Sequence, residues 1–337
     1  MNLSEDYTKL DPSGVEKALE MFPNQIRETF SQTKDLRLDI NNFDNIIVSG
    51  MGGSSNAGKI VQGLLEDNYS KPFVVYNDYG LPAWVNKNTL VIVNSYSGNT
   101  EESLAGYQKA KEIGCPVIGI SSGGKINDVI VNPKDTNPTG YPKSGLGVSL
   151  GGLLGVFCAL SIMPNAKAEL ETALSEVEEV RKTWNCKEMA ENLHGYIPVL
   201  FGARPLIGAL NAGRNAMCEI SRNFTEFYDF PEVDHVLVEA TQKPNPGVGY
   251  KKYLFFESKF NHDRVKLRYE ITKKIFAEQG LITNHYSLIT STVLAQSLEL
   301  AHYCAWLGFY LSILDNTDPG PEPWILKLKS SLSQSLH

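Results

Sequence analysis

Two short apolar runs, each leading into a turn of Gly, Ser and Thr, limit what this chain can fold into more than anything else in it. Residues 45–50 read Asn-Ile-Ile-Val-Ser-Gly, and Thr89–Asn94 reads Thr-Leu-Val-Ile-Val-Asn. A continuous apolar run of this length, ended by a turn residue, suits a strand buried on both faces of a parallel sheet. Phe73–Tyr76 and Pro116–Ile120 read as further strands, and Val129–Val131 as a short fifth. Between them, Asn56–Glu66 and Glu101–Ile113 carry apolar residues at helical spacing. Alternation of this kind with short loops predicts a doubly wound parallel sheet. The small-residue-rich stretch Leu146–Ile162 reads as a long helix that closes this first unit, residues 1–162.

Residues 163–195 break the pattern. Pro164 ends the apolar helix, and a Glu-rich helical run follows, which reads as a helical connection. A second alternation, residues 196–337, starts with a strand at Ile197–Phe201 and a helix at Pro205–Arg222. Strands near Val236 and Tyr253, a charged helix at His262–Gln279 and a strand at Leu281 come next. An apolar helix at Ser291–Leu314, a Pro-rich turn and a tail helix complete it. The expected fold is α/β, with two doubly wound, flavodoxin-like parallel sheets in tandem.

A length of 337 residues suits two such domains. The net charge of −7 argues against a nucleic-acid partner but not against small anions, which backbone amides can hold. No stretch reads as the ~18 apolar residues of a membrane span, and the polar segment from Met1 to Lys9 does not read as a secretory signal. The five cysteines lack CxxC spacing, so free thiols in a reducing cytoplasm are expected.

The chemistry concentrates after two of the strands. Ser49-Gly50-Met51-Gly52-Gly53-Ser54-Ser55 joins a strand to a helix, where glycines permit close approach and a helix N-terminus aims amides at an anion. Taken alone it also fits a dinucleotide turn, with Asp78 as the ribose-binding acid, although Ser55 stands where the third fingerprint glycine belongs. A ligand-free turn is an equally good reading of that segment by itself. Ser95-Tyr96-Ser97-Gly98-Asn99-Thr100-Glu101-Glu102 decides between these readings. Capping of the following helix explains one of its three hydroxyls, not all three. Two adjacent turns of this composition describe a phosphate cup.

These two segments resemble those of the sugar isomerase (SIS) domain, and the whole chain resembles the bifunctional phosphoglucose/phosphomannose isomerases, which carry two SIS domains. The resemblance implies that Gly53, Ser54, Ser95, Ser97 and Thr100 hold a sugar phosphate. It further implies a homodimer with sites at the subunit interface and an aldose 6-phosphate (glucose and/or mannose) to fructose 6-phosphate isomerisation through a cis-enediol. By the same resemblance, Glu219 in Asn215-Ala-Met-Cys-Glu-Ile-Ser-Arg-Asn223 is the base, His235 in Pro231-Glu-Val-Asp-His235 assists ring opening, and Lys329 is the C-terminal lysine, with Lys327 its rival.

Some positions depart from the family's pattern. Arg222, Thr225 and Val236 stand where it has Glu, Lys and Asn. Lys143 replaces an arginine, losing the planar fork that grips oxygens bidentately, and Glu322 stands at a threonine position. Both Lys143 and Glu322 are expected to reach the substrate. No zinc-like ligand cluster is evident, so neither metal nor cofactor is expected. The rival readings are a non-catalytic sugar-phosphate sensor and, more weakly, a nicotinamide-dependent dehydrogenase, for which the Ser95–Thr100 loop has no use. An aminosugar synthase would need an amidotransferase domain that this chain does not carry.

Overall fold

A computed structural model describes residues 7–37, 40, 42–133, 135–242 and 246–334. Two N-terminal helices, α1 (Val15–Glu20) and α2 (Phe22–Thr33), precede β1 (Asn45–Ser49), α3 (Gly52–Leu65), β2 (Phe73–Tyr76) and β3 (Thr89–Asn94). Then come α4 (Glu101–Ile113), β4 (Val117–Ser121), β5 (Val129–Ile130) and α5 (Leu146–Ala159). The strands form one parallel sheet in the order β2-β1-β3-β4-β5. All six residues of β3 are buried, as a central strand covered on both faces requires.

Helices α6 (Ala166–Arg181) and α7 (Cys186–Leu193) lead to β6 (Ile197–Ala203), α8 (Ile207–Ser221), β7 (Glu226–Phe230) and α9 (Leu237–Ala240). The chain continues through β8 (Lys251–Glu257), α10 (Asp263–Glu278), β9 (Thr283–Ser287), α11 (Val293–Leu314) and α12 (Pro323–Gln334). This second sheet is also parallel, in the order β7-β6-β8-β9. Counted within each half, the second order repeats the first four positions of the first, so one topology is used twice.

Two readings of the sequence are corrected here. No strand lies at Val236, which is exposed; the strand is β7, ten residues earlier. Its Glu-Phe-Tyr-Asp-Phe sequence is that of a half-exposed edge strand, without the continuous apolar run that marks a central one. The segment Pro142–Ala159 is long and apolar enough, by length and composition, to cross a membrane. Eleven residues of α5 are buried in the protein, however, which makes it a core helix.

Helices α3 and α5 of the first half and α8 and α11 of the second pack into one apolar core shared by both sheets. Helix α5 approaches α2 closely because Gly151 faces it, where a Cβ would collide with the Ile26 carbonyl and the Thr29 hydroxyl. Helix α11 is buried along nearly its whole circumference, and its polar residues find partners inside. The Glu299 carboxylate accepts from the Tyr286 hydroxyl at 2.9 Å, the Thr290 hydroxyl at 2.8 Å and the Thr290 amide at 3.1 Å. Packing of α3 on α8 sets the C-terminal turn of α8 beside the N-terminus of α3, and this contact builds the site. The five cysteines are unpaired.

Candidate active site

The turn after β1 and the loop after β3 meet at the carboxyl edge of the first sheet, the usual place for a ligand in an open α/β fold. The Ser54 hydroxyl joins them by accepting from the Tyr96 amide at 3.0 Å, and Asn94 Nδ2 donates to the Ser54 carbonyl at 3.1 Å. Gly98 adopts a φ of 63°, a left-handed conformation that suits glycine, and a Cβ there would collide with the Gly123 carbonyl. Ser97 Oγ lies 3.4 Å from Thr100 Oγ1, and Ser95 donates to Thr100 at 3.5 Å. Thr100 holds the N-cap position of α4 but makes no side-chain cap, so its hydroxyl and the first amides of α4 are not consumed by capping.

These groups form one end of a cleft of about 510 Å³. Gly53, Ser54, Ser97 and Thr100 line it, whereas Ser95 is buried beneath. Across from the cup stand Lys143, Glu219, Glu322 and Lys329. Glu219 projects from the last turn of α8. Burial first, and then the nearby Glu322, raise its carboxyl from 4.5 to about 7, against the opposing pull of Lys143, Arg214 and Lys329.

Lys143, on the 3₁₀ turn Pro142–Gly145, is almost wholly buried and its Nζ donates to the Glu219 carbonyl at 3.1 Å. Burial holds its ammonium below the usual lysine value. Glu322 turns inward to lie 3.7 Å from Lys143. Its loop is clamped by Arg222, the left-handed C-cap of α8, which donates to the Asp318 carbonyl at 2.8 Å and the Pro321 carbonyl at 2.9 Å. Residues that sequence reading left apart, Arg222 and Glu322, thus tie α8 to the chain entering α12.

Helix α12 forms the open side. Ile325, Leu328, Lys329 and Leu332 line the cleft at i, i+3, i+4 and i+7 spacing, a helical face legible in the sequence but not singled out there. Lys327 is not among the lining residues and stacks over Trp324 instead, with Nζ 5.4 Å from the ring centre. Sequence reading also missed Tyr79 and, although it lies within the second motif, Tyr96. The Tyr96 hydroxyl accepts from Asn137 Nδ2 at 2.7 Å. His235 is not brought to this cleft. It is exposed on the 3₁₀ turn Glu232–His235, after a strand and not before one. Among the described residues, no three His, Cys, Asp or Glu side chains converge as metal ligands.

The arrangement sets two turns rich in hydroxyls and helix-opening amides, suited to an anion, opposite a carboxyl raised to about 7 with two lysines beside it. Replacing Ser97 with Ala is expected to weaken sugar-phosphate binding by ~1–3 kcal/mol, the worth of a hydrogen bond to a charged group. Calorimetric titration checks this, and an unchanged affinity would remove Ser97 from the cup.

Comparison with known proteins agrees with the geometry. Residues 39–126 match the SIS domain family, and residues 184–332 match the bacterial phospho-glucose isomerase C-terminal SIS domain. A bifunctional phosphoglucose/phosphomannose isomerase of Aquifex aeolicus is 31% identical over 330 residues, covering 95% of this chain and 98% of that protein. One from Caldicellulosiruptor bescii is 28% identical over 332 residues, covering 93% and 97%. Among solved structures, the C-terminal domain of glucosamine-fructose-6-phosphate aminotransferase from Francisella tularensis superposes with a TM-score of 0.70 at 14% identity. It covers 91% of this chain and 98% of that one, a likeness of fold alone. With a double parallel-sheet fold, a Ser/Thr cup and near-full-length relatives at this identity, the chain belongs to the bifunctional phosphoglucose/phosphomannose isomerase family.

Proposed function

We propose that this protein interconverts fructose 6-phosphate with an aldose 6-phosphate, glucose 6-phosphate and/or mannose 6-phosphate, through a cis-enediol and without a metal. The observation that carries the reading is a carboxylate with its pKa near 7 facing a phosphate cup across one cleft. In this scheme Ser54, Ser97, Thr100 and the amides opening α3 and α4 hold the phosphate, which orients C1 and C2 toward Glu219. Glu219 takes the proton from one carbon and returns it to the other. A base with its pKa near the working pH serves both steps, because each protonation state is well populated. Lys143 and Lys329 stabilise the negative oxygen of the enediolate.

The scheme assigns ring opening to His235 of a second copy, which would complete the cleft in a homodimer. Support comes from the exposure of His235 and from α12, which has no buried residue and exposes Trp324, Leu326 and Leu328. Glu322 bears on the choice of epimer, because its charge lies where the C1–C2 portion must rotate. We expect glucose 6-phosphate to be favoured, with Glu322→Thr raising the relative kcat/KM for mannose 6-phosphate. Equal efficiency on both aldoses before the substitution would sink that idea.

The test of the reaction is incubation with fructose 6-phosphate, with and without chelator, followed by separate assay of the two aldose products. Failure to form either overturns the assignment and favours a sugar-phosphate sensor. Loss of turnover with chelator overturns the metal-free route.

A further inference from the structure

Adjoining the cleft is a second, smaller cavity of about 40 Å³, which shares Gly53, Lys143 and Glu219 with it. Much of its lining is apolar, from α1, α2, α8 and α11, but Asn56, Ser144, Asn215 and His302 also contribute. Two of these polar residues are anomalous. Ser144 and His302 are 6% and 1% exposed, and the Ser144 hydroxyl and His302 Nδ1 are buried without a partner. A buried polar atom left in that condition is destabilising, because its hydrogen bond to water is lost and not replaced.

The other nitrogen of His302 does not resolve the anomaly. Nε2 lies 2.8 Å from the Leu19 carbonyl and 3.0 Å from Trp306 Nε1. Burial pushes this imidazole down to about 3, so the ring is neutral and carries one hydrogen. With hydrogen on Nε2 the ring serves Leu19 and leaves the Trp306 N–H facing another donor. With hydrogen on Nδ1, Nε2 accepts from Trp306 and Nδ1 becomes a donor that needs an acceptor. Nδ1 lacks a partner in either tautomer.

A cavity needs only ~10–15 Å³ to take a water, which then needs two to four polar partners. This one is roomy enough, is too small for a sugar, and is lined by Glu219 and by the two residues that carry the unpartnered polar atoms. We propose that the chamber holds ordered water, and that Ser144 and His302 are positioning residues that use this water to give Glu219 a buried proton-exchange partner. The inference rests on the reading of Glu219 as the base. Once Glu219 has taken a proton from the sugar, its acid hydrogen passes to the water oxygen. One of the water's own hydrogens returns to the other carboxylate oxygen, so no charge changes and no atom is lost. The proton delivered to the neighbouring carbon is then not always the one removed. The remaining charged groups around Glu219, namely Lys143, Arg214, Glu322 and Lys329, stay as they were.

Two measurements test the proposal. A high-resolution crystal structure of the wild-type protein is expected to show water in the chamber, and an empty chamber overturns the proposal whatever the activity. The second follows deuterium from C2 of the faster aldose 6-phosphate into C1 of early fructose 6-phosphate in light water. Wild-type protein is expected to lose part of the label. Ser144→Ala and His302→Phe are expected to carry it over nearly completely, with turnover falling by less than the ~10²-fold that loss of the base costs. His302→Gln, which keeps a polar side chain, should restore label loss. Equal label loss in wild type, Ser144→Ala and His302→Phe overturns the proposal while leaving the isomerase assignment intact. Absence of any isomerisation by the wild type would instead defeat that assignment and leave the crystallographic test to judge the water.

Discussion

Glu219→Gln is expected to lower turnover by ~10²-fold or more while sugar-phosphate affinity survives, because the amide keeps the shape of the side chain and cannot take a proton. In the wild type the acidic limb of the kcat/KM profile should fall near the carboxyl's pKa of about 7. The same group leaves a mark on stability that activity does not report. Its folded-state pKa lies above the ordinary 4.5, so the native protein binds the proton more tightly than the unfolded chain does. The stability this contributes is therefore fully present below pH 4.5 and is lost as the pH rises through about 7. The loss amounts to at most ~3–4 kcal/mol at one pKa unit per 1.36 kcal/mol. Glu219→Gln should remove this dependence and melt at a higher temperature than the wild type at alkaline pH. Near-normal turnover in the variant would point to another base. A wild-type melting curve flat across this range would show that Glu219 is not held as the structure places it.

Lys143→Met should be damaging in a different way. The ammonium donates to the Glu219 backbone carbonyl at 3.1 Å and lies 3.7 Å from the Glu322 carboxylate. Its removal leaves Glu322 and Glu219 near each other without the strongest of their counter-charges, and breaking a buried pair from one side costs ~3–5 kcal/mol. Because Lys143 lowers the Glu219 pKa and Glu322 raises it, the acidic limb should move to higher pH in Lys143→Met. In Glu322→Thr it should move to lower pH. Loss of a cation beside the developing enediolate is expected to cost a further ~10²–10³-fold in kcat. Lys143→Arg, which keeps the charge, should recover most of the stability. Opposite shifts of the limb in the two variants would be the signature of this cluster, and unshifted profiles in both would contradict it.

Part of this site was legible in the sequence for a local reason. A buried parallel strand must be a continuous apolar run, and a strand-to-helix turn that approaches an anion needs glycines and hydroxyls next to one another. Both signals sit within a few consecutive residues, so Ser54, Ser97 and Thr100 could be singled out, and β3 and α4 were bounded at their observed ends. The strand β7 was misplaced because an edge strand need not be apolar, and the Val-Leu-Val run at 236–238 imitated one.

Glu219 and Lys143 are seventy-six residues apart, yet their contact moderates the proton affinity that burial and Glu322 raise in the proposed base. The packing of α8 on α3 fixes it, and that depends on helices buried against a core shared by both sheets. The family resemblance offered two lysines on α12, and only the rotation of that helix over the cleft placed Lys329 inside and Lys327 out. It also named a histidine that the fold holds away from the cleft of its own chain. By itself, the sequence determined the strand-and-turn chemistry of the proposed phosphate cup, because that chemistry is written in neighbours. Which charges oppose it, and at what pKa, was decided by the tertiary structure, because burial and Coulomb interaction depend on distances that sequence separation does not encode.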